Sequence, residues 1–163
     1  MLSMLELEKV TNIGNISVRS LEKTLMPSSI GYDRLYIISE GFGRYIIGKK
    51  FGNIKAPAVS YVSKGELFGF MPEGKGVIYE IALGKEDEQE GPTVDLRPME
   101  HGHRHPLVIE KFSSLEKGEG FFIINDHDPL PLYFQMSMFF PKKVGWEYVA
   151  YEGDLWKVRI RRL

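Results

Sequence analysis

A stretch without apolar side chains, Gly84–Pro92 (GKEDEQEGP), separates two parts of the chain that carry different hydrophobic patterns. Charged segments closed by glycine and proline do not enter a hydrophobic core, and they mark linkers or solvated loops. At 163 residues the chain is long enough for one ordinary domain or two small ones. We therefore predict two domains, residues 1–84 and 93–163, joined by a linker at residues 85–92. A solvated hairpin loop inside a single domain is the alternative.

Before this stretch, glycines separate short runs rich in β-branched and aromatic residues. The runs are RLYIIS, RYIIG, AVSYVS, ELFGF and VIYEIAL. Short strands at such regular spacing, with glycine at the turns, are typical of an antiparallel sandwich or barrel. The first domain is therefore predicted to be all-β.

After the stretch, strand and helix patterns alternate. TVDL and GFFIIN read as strands, and GWEYVAYEG with DLWKVRIRR reads as a closing hairpin. Between the strands, Pro106 opens a helical pattern that stops at Gly118, and Asp128 caps a second helix that ends before Pro141. The second domain is therefore predicted as a βαβαββ arrangement of the α/β (α+β) class.

All four histidines belong to the second domain, close to the ends of its first two strands. A strand, helix, strand unit makes its two strands parallel, so both helices start from the same edge of the sheet. His101, His103 and His105 are predicted in a loop after the first strand, and His127 follows the second. We expect these side chains to meet at the edge where open α/β sheets bind ligands.

Two chemistries and one structural alternative fit this edge. The predicted metal ligands, which would bind Zn, Fe, Mn or Ni, are His101, His103, His105 and His127. The predicted ligand-binding residues of a pocket at the helix N-termini are Arg104, His105, Asn125, Asp126, His127 and Asp128. The third interpretation is that these residues only cap helices and bond to each other. No spacing matches a specific metalloenzyme motif, so the catalytic residues are unknown.

Composition excludes several functions. With 21 basic and 22 acidic residues, the net charge of −1 gives no electrostatic reason to expect a nucleic-acid or anionic-membrane partner. The absence of cysteine rules out disulfides, thiolate nucleophiles and thiolate metal sites. No segment has the pattern of a secretion signal or a membrane helix. A cytoplasmic protein is the expectation.

The second half resembles an uncharacterised family allied to the TusA-like (SirA-like) sulfur carriers. The segments that carry the resemblance are VDLRP, RHPLVIEKFSSLEKGEGF, NDHDPLPLYFQ, WEY and WKVRIRR. The resemblance implies a two-layer βαβαββ sandwich. Sulfur carriers of that fold hold a persulfide on a cysteine that precedes a proline, but this chain has His105 before Pro106. Persulfide transfer is therefore excluded, while a helix N-terminus with functional side chains is retained.

The first half resembles a cupin barrel. DRLYIISEGFGRYII is similar to the first cupin motif, and VSKGELFGFMPEGKGVIYEIALG is similar to the second. The positions comparable to the cupin metal ligands lie near Pro27, Ser29 and Asp33 and near Gly76 or Val77, and none of these is a histidine. The resemblance thus implies a barrel without the usual cupin metal.

Such a barrel holds either a small ligand or only packed side chains. The aromatic residues predicted for its interior are Tyr36, Tyr45, Tyr61, Phe70 and Tyr79. The leading functional hypothesis is a two-domain protein that binds or senses a small molecule at the histidine edge. A metal-dependent enzyme and a protein-interaction module are the alternatives. A homodimer through the barrel would cover its edge strands.

Overall fold

The computed structural model describes residues 11–13, 16–21, 24–87 and 91–163. These residues contain thirteen strands and two helices. The first nine strands are Thr11–Ile13 (β1), Ile16–Leu21 (β2), Leu25–Ser28 (β3), Arg34–Glu40 (β4), Phe42–Ile47 (β5), Lys50–Lys55 (β6), Ala58–Val62 (β7), Phe68–Pro72 (β8) and Val77–Ala82 (β9). The rest are Thr93–Asp95 (β10), His101–Ser113 (α1), Gly120–Asn125 (β11), Leu130–Phe139 (α2), Val144–Glu152 (β12) and Leu155–Arg162 (β13). Neither helix is long and apolar enough to span a membrane.

The chain divides into two compact units. The first contains the described residues up to Pro27 together with Gly31–Glu86, and the second contains Ser28–Ile30 and Asp87–Leu163. The short segment Ser28–Ile30 is therefore part of the second unit although both of its neighbours in sequence belong to the first. The sequence pattern does not predict that this segment belongs to the second unit.

The first unit consists of two antiparallel sheets, as the strand pattern predicted. Their strand orders are β1-β2-β9-β4-β7 and β3-β8-β5-β6. Alternate residues of the strands from both sheets form one apolar core, which comprises Tyr36, Ile38, Val62, Phe68, Phe70 and Ile78. The rings of Tyr36 and Phe68 stack with centroids 4.0 Å apart. Burial of these large side chains contributes about 1.5–3 kcal/mol each to folding.

Three polar side chains are also buried in the first unit. The hydroxyl of Tyr36 accepts a hydrogen bond from Nη1 of Arg34 at 2.9 Å and donates one to Oε2 of Glu80 at 2.6 Å. Nη2 of Arg34 donates to the carbonyl of Glu66 at 2.9 Å. Burial raises the pKa of Tyr36 far above its ordinary value, so the phenol stays neutral. The bonds satisfy polar groups that would otherwise be costly to bury.

β6 was not predicted from the sequence, because its exposed side chains are polar or charged apart from one phenylalanine. This strand forms one edge of the four-stranded sheet, where such residues are common. Gly52 lies opposite Tyr45 in β5, and a Cβ at Gly52 would be 2.8 Å from the tyrosine ring. The glycine that weakens the strand pattern therefore makes room for the ring that packs over it.

The second unit has the predicted order of elements and one mixed sheet, β10-β11-β13-β12. β10 and β11 are parallel, with Val94 opposite Ile123, and the other neighbours are antiparallel. One face of the sheet is buried with residues from both helices. The fully buried side chains of this core include Val108, Phe112, Ile123, Leu132, Met136, Trp146, Val158 and Ile160.

The first helix begins five residues earlier than predicted. α1 starts at His101, so the three histidines before Pro106 lie on the helix and not in a loop. Proline disfavours a helical conformation in the residue before it and cannot donate to the carbonyl four residues back. Here that carbonyl belongs to Gly102, which is exposed to water, and the side chain of Arg104 ties the first turn to neighbouring main chain.

The second helix begins close to the predicted position. Leu130 is the first helical residue, and Pro129 takes the N-cap position that the sequence analysis gave to Asp128. Asp128 still accepts a hydrogen bond from the Leu130 amide, through Oδ1 at 3.0 Å. Asp128 therefore still caps the helix, as predicted, but it does so from the position before the N-cap.

Segment Ser28–Ile30 pairs with β12. The amide of Ser29 donates to the carbonyl of Trp146 at 2.9 Å, and the amide of Trp146 donates to the carbonyl of Ser29 at 2.7 Å. The hydroxyl of Ser29 donates to the carbonyl of Val144 at 2.8 Å. These bonds satisfy main-chain groups at an edge strand that would otherwise lack partners.

Candidate functional site

The candidate site lies where β10 and β11 end and α1 begins, all within the second unit. Asn125 is the last residue of β11, the turn Asp126–Asp128 follows it, and His101 is the first residue of α1. In the part of the chain that the structure describes, one group of three or more metal-ligating side chains comes together, and it consists of His101, Asp126 and His127. We call this group the histidine cluster.

The three side chains of the histidine cluster are close enough to share an ion. One ligand atom from each lies within 4.8 Å of the other two. The imidazole rings of His101 and His127 stack with centroids 5.8 Å apart and an angle of 12° between their planes. Two ligands about 2.1 Å from one metal ion are at most about 4.2 Å apart. Small rotations of the two exposed imidazoles would bring the atoms to that distance.

Arg104 is the buried centre of the site, and its side chain is 5% exposed. Nη1 and Nη2 donate to the two carboxylate oxygens of Asp126 at 2.9 and 3.1 Å. Nη1 also donates to Oδ1 of Asn125 at 2.9 Å. Nε donates to the carbonyl of Met99 at 3.0 Å and Nη2 to that of Arg97 at 3.2 Å. All five N–H donors of the guanidinium are used, so Arg104 holds the site together and does not present donors to a ligand.

The ion pair with Arg104 controls the charge of Asp126. Its hydrogen bonds from Arg104, and then its bond with His127, hold the pKa of Asp126 far below the ordinary value. Asp126 is therefore a carboxylate at every working pH. Such a carboxylate is a weak proton acceptor but a good partner for a cation.

His127 is oriented by the carboxylate beside it. Nδ1 of His127 lies 2.5 Å from Oδ1 of Asp126, and the carbonyl of His127 accepts a bond from Nδ2 of Asn125 at 3.0 Å. A carboxylate on one ring nitrogen fixes the tautomer and directs the other nitrogen towards a metal. The side chain of His127 is 56% exposed, and its Nε2 lies 3.5 Å from Nδ2 of Asn125, a long contact that a bound ion would replace.

His103 and His105 were predicted as metal ligands, but they do not join the histidine cluster. The prediction assumed an extended loop, in which alternate side chains share a side. On a helix, side chains two positions apart point about 200° apart, because each residue turns by about 100°. His103 is exposed beside Glu100, with 3.5 Å between Nδ1 and Oε2. Nδ1 of His105 lies 2.8 Å from Oε1 of Gln135 in α2.

Asp128 accepts hydrogen bonds from other groups of the protein and does not belong to the histidine cluster. Besides its bond from the Leu130 amide, Oδ1 accepts a hydrogen bond from the Tyr148 hydroxyl at 2.5 Å. Burial, followed by the bond to Asp128, raises the pKa of Tyr148 well above the ordinary value. This tyrosine was not predicted as part of the site. The sequence did contain a signal for it: Tyr148 is on the core-facing side of β12, where a tyrosine hydroxyl needs a hydrogen-bond partner.

The end of β10 adds a second ion pair that sequence reasoning also missed. Arg97 donates from Nη2 to Oδ2 of Asp95 at 2.8 Å and from Nε to Oδ1 at 3.0 Å. These bonds lower the pKa of Asp95. The pair is partly exposed. It stabilises the turn in which the Arg97 carbonyl accepts a hydrogen bond from Arg104.

The aromatic residues predicted for the interior of the first domain do not lie on one surface. Tyr36 and Phe70 are buried in the core and Tyr45 packs against it. Tyr61 and Tyr79 are on the opposite face of their sheet, because they pair with Leu35 and Ile37, the alternate residues of β4. The predicted interior position is therefore wrong for Tyr61 and Tyr79, while Tyr36, Tyr45 and Phe70 pack in the core.

Residues 93–162 match a family described as an uncharacterized conserved protein, DUF2249. No curated protein matches the chain. Among solved structures, a cupin-2 domain protein from Shewanella frigidimarina is 16% identical, with a TM-score of 0.38, over 45% of this chain and 76% of that one. A cupin superfamily protein from Desulfitobacterium hafniense is 14% identical, with a TM-score of 0.41, over 46% and 72%.

A third solved structure is an uncharacterized protein with a double-stranded β-helix domain from Klebsiella pneumoniae. It is 13% identical, with a TM-score of 0.42, over 50% of this chain and 87% of that one. These structural neighbours correspond to the N-terminal half. The matched family corresponds to the half that contains the histidine cluster.

Proposed function

We propose that the second unit binds a divalent transition-metal ion through the histidine cluster, and that the ion holds a small ligand at its remaining positions. The observation that carries the proposal is the grouping of ligand atoms from His101, Asp126 and His127 within 4.8 Å. Imidazole nitrogens and a carboxylate suit zinc, iron, manganese or nickel. Without cysteine, the chain cannot supply a thiolate site.

The protein contributes orientation and charge to this site. His127 and His101 would be the principal ligands, because both imidazoles are exposed. Asp126 orients His127 through Nδ1, and it has lone pairs left to contact the ion, although Arg104 takes one bond on each oxygen. The positive charge of Arg104 balances the negative charge of Asp126. The ion would therefore be bound by the imidazoles of His101 and His127 and by a carboxylate that is already paired with an arginine.

Elemental analysis tests the proposal directly. Protein purified without chelators should contain one equivalent of a transition metal, and His101→Ala or His127→Ala should lose it. His103→Ala is the matched control, since His103 lies on the same helix and outside the cluster. Metal-free protein that takes up no Zn²⁺ or Co²⁺ on dialysis would overturn the proposal, as would equal metal content in all variants.

A metal-dependent enzyme is the second candidate function. The observation that favours it is the small number of protein ligands, because three at most leave positions open for a water molecule or a substrate. Asp126 suits the role of orienter better than that of base, since its pKa is low. Asp128 is occupied by Tyr148 and the Leu130 amide. Neither carboxylate is therefore placed to act as a base, and a bound ion would supply that chemistry by lowering the pKa of a water molecule that it holds.

We also infer that the two units are relatives of known scaffolds that have lost their usual chemical groups. The second unit, with its βαβαββ order, would be a TusA-like sandwich without a thiol to carry sulfur. The first unit would be a cupin-like barrel without the cupin histidines. Support for both inferences comes from the order of strands and the residue types, and an experimental structure of either unit compared with those folds would test them.

A further inference from the structure

Three aromatic side chains lie together where β12 and β13 meet at their shared turn. The ring centroids of Tyr148, Tyr151 and Trp156 are 6.1 to 6.2 Å apart in each of the three pairs. We call these three residues the aromatic group. Tyr151 is 46% exposed, and the other two residues are half-buried, so the group reaches the surface of the second unit.

Two contacts place the aromatic group beside the histidine cluster. Trp156 is the register partner of Asn125, and directly opposed residues of antiparallel strands have their Cβ atoms about 5 Å apart on one face of the sheet. Nδ2 of Asn125 in turn lies 3.5 Å from Nε2 of His127. Independently, the hydroxyl of Tyr148 donates to Asp128, the residue after His127. The nitrogen of His127 that would hold an ion is therefore directed towards the side of the site where the aromatic group lies.

The polar atoms of two of these rings are used within the protein. Nε1 of Trp156 donates to the carbonyl of Gly153 at 3.2 Å, and the hydroxyl of Tyr148 donates to Oδ1 of Asp128 at 2.5 Å. These bonds fix the orientation of both rings. What the two rings can offer a ligand is therefore apolar surface, which packs well against another flat ring.

We propose that the aromatic group selects the ligand of the metal site, which is a small molecule that binds the ion through oxygen or nitrogen donors and carries an uncharged aromatic ring. The ring would pack on Tyr151 and Trp156. This inference rests on the proposed function, because the ion holds the donor end of the ligand. The ring is uncharged because the turn between β12 and β13 carries two exposed carboxylates, Glu152 and Asp154, which would repel an anionic ring.

Two chelators of different size test this selection. Acetohydroxamate and benzohydroxamate bind a metal ion through the same two oxygens, and only the second carries a ring. Zn²⁺ uptake is measured first, and the Zn²⁺-loaded protein is then titrated calorimetrically with each chelator. The wild type should bind benzohydroxamate about tenfold more tightly than acetohydroxamate, the preference that a contact between two aromatic rings gives.

Two variants of the aromatic group should lose this preference. Tyr151→Ala and Trp156→Leu should take up Zn²⁺ like the wild type, but their affinities for the two chelators should differ by no more than about twofold. Val149→Ala is the matched control and should keep the preference, because Val149 is 52% exposed on the same strand as Tyr151 and outside the aromatic group. Tyr151 is at the surface, so Tyr151→Ala stays informative if Trp156→Leu fails to fold.

The outcomes separate this inference from the proposed function. Equal affinities of the wild type for the two chelators, or a preference that persists in both Tyr151→Ala and Trp156→Leu, would overturn the role of the aromatic group and leave the metal site standing. Bound Zn²⁺ that takes up neither chelator would overturn that role as well, because the ion would then have no open position. A wild type that binds no Zn²⁺ would overturn the proposed function and this inference together.

Discussion

Arg104 and Asp126 form a two-point ion pair at the start of α1, with 2.9 Å between Nη1 and Oδ1 and 3.1 Å between Nη2 and Oδ2. The arginine is buried, while the side chain of Asp126 is 34% exposed. The pair joins the helix to the turn after β11, and it holds the carboxylate that orients His127. The geometry of the histidine cluster therefore depends on a residue that does not itself belong to it.

Replacing Arg104 should weaken both metal binding and folding. Arg104→Lys keeps the charge but cannot bond to both carboxylate oxygens and the main-chain carbonyls together. Loss of a group that orients a metal ligand typically lowers metal affinity about 10- to 100-fold. Because Arg104→Lys leaves some of these buried acceptors without a donor, we expect stability to fall by about 1–3 kcal/mol. Calorimetric metal titration and urea unfolding measure the two effects. Arg97→Lys, at the exposed pair, should change each far less.

The ion pair also predicts how stability depends on pH. The folded-state pKa of Asp126 is lowered, chiefly by the hydrogen bonds from Arg104, so its contribution is complete above the unfolded-state pKa of about 3.9 and is lost as the pH falls towards the folded value. The difference in unfolding free energy between the wild type and Asp126→Asn should be constant above about pH 5 and narrow below about pH 4. Urea unfolding across this range measures it. A difference that stays constant down to pH 2 would contradict the role assigned to Arg104.

In the first unit, Tyr36→Phe should be destabilising although it removes only one oxygen. The change deprives Arg34 and Glu80 of a hydrogen-bond partner in a buried site. Each polar group that loses a partner in such a site costs about 1–3 kcal/mol. Tyr61→Phe is the control, because that hydroxyl bonds to Asp33 at the surface and should change stability by less than about 0.5 kcal/mol. Equal unfolding midpoints for the two variants would show that the buried bonds contribute little.

Two glycines should respond to alanine in opposite directions. A Cβ at Gly102 meets no atom within 4 Å, and Gly102 lies in α1, where alanine is favoured by about 1 kcal/mol. A Cβ at Gly43 would be 2.3 Å from the carbonyl oxygen of Met71 in the neighbouring strand. Gly102→Ala should raise the melting temperature and Gly43→Ala should lower it. If Gly102→Ala instead lowered it, the early start of α1 would be wrong.

The sequence predicted most of the second unit but only part of its site. The strands, the parallel pair and the meeting of His101 with His127 followed from hydrophobic periodicity and from the handedness of the crossover. The placement of His103 and His105 failed because α1 starts before Pro106, where three of the five hydrogen bonds of Arg104 reach residues 21 or 22 positions away in the sequence. The bond from Tyr148 to Asp128 joins residues 20 positions apart, so the strand pattern indicates a half-buried hydroxyl in need of a partner but not which residue that partner is. In the first unit, the apolar runs predicted strands but not which face of each strand is inside.

Isothermal titration of metal-free protein with Zn²⁺ tests the central claim most directly, with His127→Ala and His103→Ala compared under the same conditions. The histidine cluster predicts one binding site in the wild type, the same site in His103→Ala and its loss in His127→Ala. Equal loss in both variants, or binding that survives in His127→Ala, would contradict a metal site built on His101, Asp126 and His127.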